Sequence, residues 1–195
     1  APPYQEKQIA TSPTMTELVA AALNVLRRDE DGFVLMAEGG AIDWACHENM
    51  SGRLIEEQID FDRAVEFVVD WVEKYSNWDE TLLIVTADHE CGYLTGPGSD
   101  PTWRPLINNG AGTLPGMEWH AGDHTNQLVP FFVKGVGENE YYQKARNNDP
   151  LKGLYLDNTD IPNTVRELWR KNQPEPLKFV VKPYLQMATK QSIRV

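Results

Sequence analysis

Histidine and cysteine are scarce in this sequence, and basic residues are fewer than acidic ones. Four histidines and two cysteines occur in 195 residues, which excludes a disulfide-rich scaffold. Lys and Arg number 18 against 29 Asp and Glu, and the resulting net charge of −11 argues against a nucleic-acid-binding surface. No apolar run approaches the roughly 20 residues of a membrane span. Hydrophobic residues still make up 41% of the chain, which is enough for a buried core.

Helix and strand patterns alternate along the chain and predict an α/β fold. The continuous apolar run at residues 33–37 is typical of a strand covered on both faces, as in a parallel sheet. Residues 92–122 are rich in Gly, Pro and Asn, so we expect a long excursion there with weak strands at most. We expect helices after a Thr14–Glu17 capping box and over residues 54–75 and 161–171, and further strands over residues 82–85 and 128–133.

Each histidine lies within a few residues of a carboxylate, and each acid–histidine group adjoins a predicted strand. In open α/β sheets, ligands bind outside the carboxyl ends of the strands, so the first two groups should share one edge. The third group reaches that edge only if its loop folds over. Carboxylate and imidazole groups suit zinc, and carboxylate with water suits magnesium. The groups are Glu38, Asp43 and His47; Asp88 and His89; and His120 and His124.

Taken one at a time, these residues are weak evidence for a metal site. Asp43 and His47 share one face only if their segment is helical, and an acid beside a histidine is commonly a solvated or hydrogen-bonded pair. We interpret Cys46 and Cys91 as small packed residues, although thiolate ligation is chemically open to them. Trp44 is one of the tryptophans that we expect near a cleft.

The three acid–histidine segments resemble those of the alkaline phosphatase family. FVLMAEGGAIDWACHENM, TLLIVTADHECG and GDHTNQLVPFFVKG are similar to three family signatures and occur in the family's order. The similarity covers about residues 14–172, and the Trp that follows Asp43 is similar to a bacterial branch. The resemblance implies a partial three-layer α/β/α fold with a mostly parallel sheet, formed by the C-terminal portion of a catalytic domain.

The resemblance also implies a ligand set, since the family site holds two zinc ions and one magnesium ion. His120 matches no family ligand; it is either a loop residue or, with Trp44, part of a rim that contacts substrate. The matched ligands are Asp43, His47 and His124 for the first zinc, Asp88 and His89 for the second zinc, and Glu38 for magnesium.

The implied activity is phosphomonoester hydrolysis through a phosphoserine intermediate, with inorganic phosphate as product. The family's serine lies in an Asp-Ser-Ala motif, which these 195 residues do not contain, so we expect a metal-binding portion without its nucleophile. A non-catalytic zinc-binding or interaction fragment is one alternative. A phosphodiesterase or sulfatase of the same superfamily is another.

Location and partners follow from the same resemblance. It implies a periplasmic or extracellular protein, although the opening residues APPYQEKQIATSP show no signal-peptide pattern. We expect no nucleic-acid partner and no membrane span. An exposed sheet edge would favour self-association into a homo-oligomer.

The chain divides at about residue 172. Residues 1–172 form the alkaline-phosphatase-like portion, and residues 173–195 carry more bases than acids. Gln173–Pro176 is typical of a linker. FVVKPYLQMATKQSIRV resembles the opening of the fibronectin-III-like domain that precedes purple acid phosphatase domains, and a plain C-terminal extension is the alternative.

Overall fold

The computed structural model describes residues 2–99 and 102–171, and the order of its elements confirms the α/β class. The linker and second domain expected over residues 173–195 lie outside the described residues. Within the described part, no helix has both the length and the apolar character to cross a bilayer. The helices are α1 Met15–Leu26, α2 Gly40–His47, α3 Ser51–Tyr75, α4 Glu138–Lys144 and α5 Asp160–Lys171. The strands are β1 Leu82–Thr86, β2 Glu90–Cys91, β3 Leu94–Thr95, β4 Glu118–Trp119, β5 His124–Thr125, β6 Phe131–Gly135, β7 Asn147–Asp149 and β8 Gly153–Tyr155.

Helices α1 and α3 pack together and form the main apolar core. The predicted capping box starts α1: the Thr14 hydroxyl accepts a hydrogen bond from the Glu17 amide, and the Glu17 carboxylate accepts one from the Thr14 amide. Val19, Leu23 and Ala64 are buried between the two helices. Helix α3 begins three residues before the predicted start and continues to its predicted end at Tyr75.

The strand predicted at residues 33–37 is not formed among the described residues, and this prediction is wrong. Leu35 packs against the core between α1 and α3, but the side chains of Val34 and Met36 are 68% and 85% exposed. A strand covered on both faces needs neighbours that bond its N–H and C=O groups, and the described part of the chain supplies none. The segment therefore packs on the α1–α3 core through one face, and its other face is exposed to solvent.

Strands β1 and β6 form the longest ladder, and they run antiparallel from Leu82 opposite Gly135 to Thr86 opposite Phe131. The strand predicted at 82–85 is confirmed. The strand predicted at 128–133 starts instead directly after Pro130, because proline lacks the N–H that a ladder needs. All pairs between described strands are antiparallel, so the mostly parallel sheet is absent from this part of the chain.

The excursion after β1 folds back on itself through two short antiparallel pairs, which confirms the expectation of weak strands. Strand β2 pairs with β5, and β3 pairs with β4. These pairs bring the residues just after β1 beside the residues just before β6. Helices α4 and α5 and the β7–β8 hairpin complete the C-terminal part.

We predict that the close approach at the end of the β1–β6 ladder makes Gly135 irreplaceable. Gly135 and Gly153 both have a positive φ, but a Cβ at Gly135 would overlap the Thr81 carbonyl oxygen, whereas a Cβ at Gly153 meets nothing within 4 Å. Gly153→Ala should cost about 1 kcal/mol of unfolding free energy from its backbone alone. Gly135→Ala should cost at least about 2 kcal/mol more. Urea unfolding followed by circular dichroism measures both, and equal losses would contradict the crowding.

Candidate metal centre

Four side chains from three separate elements converge at one place. They are Asp43 and His47 from α2, Cys91 from β2 and His124 from β5. One ligand atom from each lies within 4.8 Å of all the others. Among residues 2–99 and 102–171, no other group of three or more His, Cys, Asp or Glu side chains lies close enough together to hold one ion.

Helix α2 presents the first two of these side chains on one face. Asp43 and His47 are one helical turn apart, and the Asp43 carboxylate lies 3.4 Å from His47 Nε2. Ala45 and Cys46, which lie between them in sequence, are buried. The sequence places Asp43 and His47 on one face only if their segment is helical. Residues 40–47 form a helix, so this condition is met.

The β2–β5 pair supplies the other two side chains. Its register places Cys91 directly opposite His124 and Glu90 opposite Thr125. The Thr125 hydroxyl donates a hydrogen bond to the Glu90 carboxylate, which ties the two strands together. The Asp123 carboxylate accepts from the His124 amide at 2.8 Å. These bonds fix the position of His124 next to α2.

The three nitrogen and oxygen donors lie close together. His47 Nε2 is 3.0 Å from His124 Nε2, and Asp43 Oδ1 is 3.4 Å from His124 Nε2. Asp43 Oδ1 is buried and has no hydrogen-bond partner among the residues that the structure describes. Tetrahedral ligands of zinc, with bonds of about 2.0–2.2 Å, are roughly 3.5 Å apart, so these atoms are already near ligand spacing.

A backbone carbonyl fixes the protonation of His47. His47 Nδ1 lies 2.9 Å from the Gly122 carbonyl oxygen, and because that oxygen only accepts, Nδ1 carries the proton. The lone pair of the neutral ring is then on Nε2, which faces the cluster. The same hydrogen bond raises the pKa of His47 above its usual range. Metal-ligating histidines commonly have such a carbonyl partner on the second nitrogen.

Gly92 holds the loop that supplies this carbonyl. The Gly92 amide donates to the Asp123 carbonyl at 3.0 Å, and the Gly92 carbonyl accepts from the amides of His120 and Ala121. Gly92 has φ +85°, and a Cβ there would meet the Trp119 ring at 2.5 Å. Only glycine fits this close approach without moving the loop.

Asp88 and His89, the predicted ligands of the second zinc, are not among the four clustered residues, although the His89 ring lies beside the cluster. The His89 ring stacks on the His124 ring with centroids 3.6 Å apart, and His89 Nδ1 is buried without a hydrogen-bond partner. The Asp88 side chain is 88% exposed, with a carboxylate oxygen 3.5 Å from His89 Nε2. Glu38 is exposed on the segment before α2 and is not one of the four clustered residues.

His120 and Trp44, the two rim candidates, differ in what they contact. His120 Nε2 lies 2.7 Å from the hydroxyl of the buried Thr95, which engages this ring nitrogen within the loop. Trp44 follows Asp43 on α2, and 72% of its side chain is exposed to solvent. Of the two, Trp44 has the free surface that a rim residue needs.

Cys91 is the member of the cluster that sequence reasoning missed, since it was taken for a packed residue. Both cysteines are buried and free. Burial raises the pKa of Cys91 to about 12 and that of Cys46 to about 11, so both are neutral thiols when no metal is bound. The sequence held one usable signal: Cys91 follows the Asp88–His89 motif at a distance of two residues.

Comparison with known proteins shows the family of this chain. The alkaline phosphatase family profile matches residues 4–113. The repressible alkaline phosphatase of Saccharomyces cerevisiae is 38% identical over 164 residues, which are 76% of this chain and 27% of that protein. The membrane-bound alkaline phosphatase of Bombyx mori is 45% identical over 86 residues, which are 44% of this chain and 15% of that protein.

Solved structures of alkaline phosphatases also match the fold of this chain. The alkaline phosphatase of the Antarctic bacterium TAB5 is 26% identical with a TM-score of 0.59, over 82% of this chain and 42% of that one. A variant of the TAB5 enzyme with Mg bound in its M3 site gives the same TM-score at 25% identity. The chain belongs to the alkaline phosphatase family. It spans about a quarter or less of the length of the two curated relatives named above.

We predict that Gly92→Ala lowers the pKa of His47 in the metal-free protein. Displacing Trp119 would move the Gly122 carbonyl away from Nδ1, and the hydrogen bond that favours the protonated ring would be lost. Proton NMR titration of the histidine rings measures the pKa directly. Gly98→Ala is the matched control, because Gly98 also has a positive φ but has no atom within 3.7 Å of the added Cβ. A His47 pKa that is unchanged in Gly92→Ala would contradict the role of this loop.

Proposed function

We propose that this chain supplies the zinc-binding part of a phosphomonoesterase of the alkaline phosphatase type. The observation that carries the proposal is the convergence of Asp43, His47 and His124, whose donor atoms already lie 3.0–3.4 Å apart. Membership of the family gives that cluster a chemical context. A cation between these atoms would satisfy the buried Asp43 oxygen and both imidazole nitrogens.

The proposed ligands follow the family pattern. Asp43, His47 and His124 would hold the first zinc. Asp88 and His89 would belong to a second zinc site, and the stacking of the His89 ring on His124 supports this. Glu38, on the exposed segment before α2, would be a magnesium ligand. When bound, such metals supply Lewis acidity toward phosphoryl oxygens and lower the pKa of a bound hydroxyl or water.

The chain's own residues have defined roles in this proposal. Gly122 keeps the proton of His47 on Nδ1 and leaves Nε2 free to ligate. Glu90 and Asp123 hold β5 so that His124 faces α2. Exposed Trp44 would form part of the rim of the phosphate site, and the Thr95 contact favours a loop role for His120.

The proposal includes three further expectations. The nucleophilic serine would come from outside these 195 residues, because no Asp-Ser-Ala occurs in them. The location would be periplasmic or extracellular, as in relatives that are exported. Residues 33–37 pair with no described strand, and the exposure of Val34 and Met36 supports association with another copy or with further strands.

A non-catalytic zinc-binding role is the second candidate, and Cys91 favours it. Structural zinc sites have four protein ligands, whereas catalytic sites keep one position open. The cluster contains four potential donors. A closed site would hold metal without turning over substrate.

We predict that a chimera in which residues 14–171 replace the aligned part of the TAB5 enzyme hydrolyses p-nitrophenyl phosphate when zinc and magnesium are present. His124→Ala in the chimera should lower kcat/KM at least about 100-fold, because a zinc ligand is lost. His120→Ala is the matched control and should stay within a few-fold. The 195-residue chain alone should bind zinc without turnover.

Two outcomes would count against the proposal. One is an equal loss of activity in the two histidine variants of a folded chimera. The other is faster hydrolysis of bis-p-nitrophenyl phosphate or p-nitrophenyl sulfate than of the monoester, which would support the diesterase or sulfatase alternative.

A further inference from the structure

We propose that the Cys91 thiolate is the fourth protein ligand of the first zinc, opposite Asp43, His47 and His124. The inference rests on the proposed zinc site and adds a ligand that is not among the acids and histidines predicted from the sequence. With Cys91, this chain alone would supply four protein ligands to a zinc that otherwise has three and one open position.

The strand register places Cys91 where a fourth ligand has to be. Cys91 and His124 are paired residues of the antiparallel β2–β5 ladder. Side chains of directly opposed residues leave the ladder on the same face, about 5 Å apart at Cβ. Since His124 faces Asp43 and His47, Cys91 faces them as well. Helix α2 packs against β2, so Asp43 and His47 of the helix lie next to Cys91 and His124 of the ladder.

The distances support the same placement. Cys91 Sγ lies within 4.8 Å of the donor atoms of the other three residues and 3.8 Å from the Asp43 carbonyl oxygen. At the tetrahedral angle, a zinc–sulfur bond of about 2.3 Å and a zinc–nitrogen bond of about 2.0 Å put the two ligand atoms about 3.5 Å apart. A contraction of at most about 1.3 Å would therefore bring Cys91 to ligand spacing. The residue is 9% exposed, so solvent competes little for the sulfur.

Ligation is a balanced proton-release step. The S–H bond of Cys91 breaks, a zinc–sulfur bond forms, and the proton passes to solvent. A bound divalent cation deprotonates a coordinating thiol outright, so the neutral state of the metal-free thiol does not oppose ligation. Thiolate is a soft ligand that selects zinc over magnesium.

A thiolate in the fourth position has a functional consequence. Water or a phosphoryl oxygen reaches the metal only by expanding its coordination or by displacing the sulfur. The thiolate ligand would therefore strengthen metal retention, and substrate would bind by one of these two routes. Cys46 offers the internal contrast, since it is also buried and free but is not one of the four clustered residues.

Titration of the metal-free full chain with Co²⁺ tests the proposal. Wild type should show visible d–d bands of tetrahedral cobalt and a near-ultraviolet thiolate-to-cobalt charge-transfer band. Cys91→Ser should lose the charge-transfer band and bind Co²⁺ at least about 10-fold more weakly. Cys46→Ser should keep both properties. Cys91→Ala provides a second removal of the sulfur, and circular dichroism reports whether each variant is folded.

The possible outcomes distinguish ligation by Cys91 from the existence of the zinc site. Visible bands without a charge-transfer band in wild type would overturn ligation by Cys91 and leave the Asp43–His47–His124 site standing. A charge-transfer band that survives in folded Cys91→Ser would also overturn it. No binding of Co²⁺ at any concentration tested would overturn both the ligation and the zinc site.

Discussion

The contact between the imidazoles of His47 and His124 is the constraint on which the site depends. Two ring nitrogens from segments 77 residues apart face each other at 3.0 Å, beside a buried carboxylate oxygen. The Gly122 carbonyl holds the proton of His47 on the far nitrogen, so the near one is an acceptor. The buried Asp43 oxygen has no hydrogen-bond partner among the described residues, and a cation between the three side chains would remove the cost of burying it unpaired.

The rest of the described structure serves to bring these atoms together. The α1–α3 core supports α2, which carries Asp43 and His47 on one face. The long excursion after β1 returns through β4 and β5, and its packing around Gly92 delivers both His124 and the carbonyl of Gly122. A loop that composition alone describes as irregular therefore has a specific structural role, because it positions one ligand and orients another.

Sequence reasoning found what is local and missed what depends on pairing. The capping box of α1 and the strand β1 are set by neighbours along the chain, whereas the shared face of Asp43 and His47 depends on a helix that the sequence analysis does not predict. Residues 33–37 have the composition of a buried strand, but composition does not supply a partner, and no strand among the described residues pairs with them. Cys91 was missed for a related reason: its place opposite His124 is fixed by a register between segments 33 residues apart, and its one local signal is its position two residues after His89.

In the proposed site, one metal ion lies between Asp43, His47 and His124. Anomalous diffraction at the zinc edge, from crystals of the chain grown with zinc, tests this placement. We expect a strong anomalous peak within bonding distance of those three side chains. A structure of the same crystals in which the three donors are ordered but the zinc peak is absent, or lies only at Asp88 and His89, would contradict it.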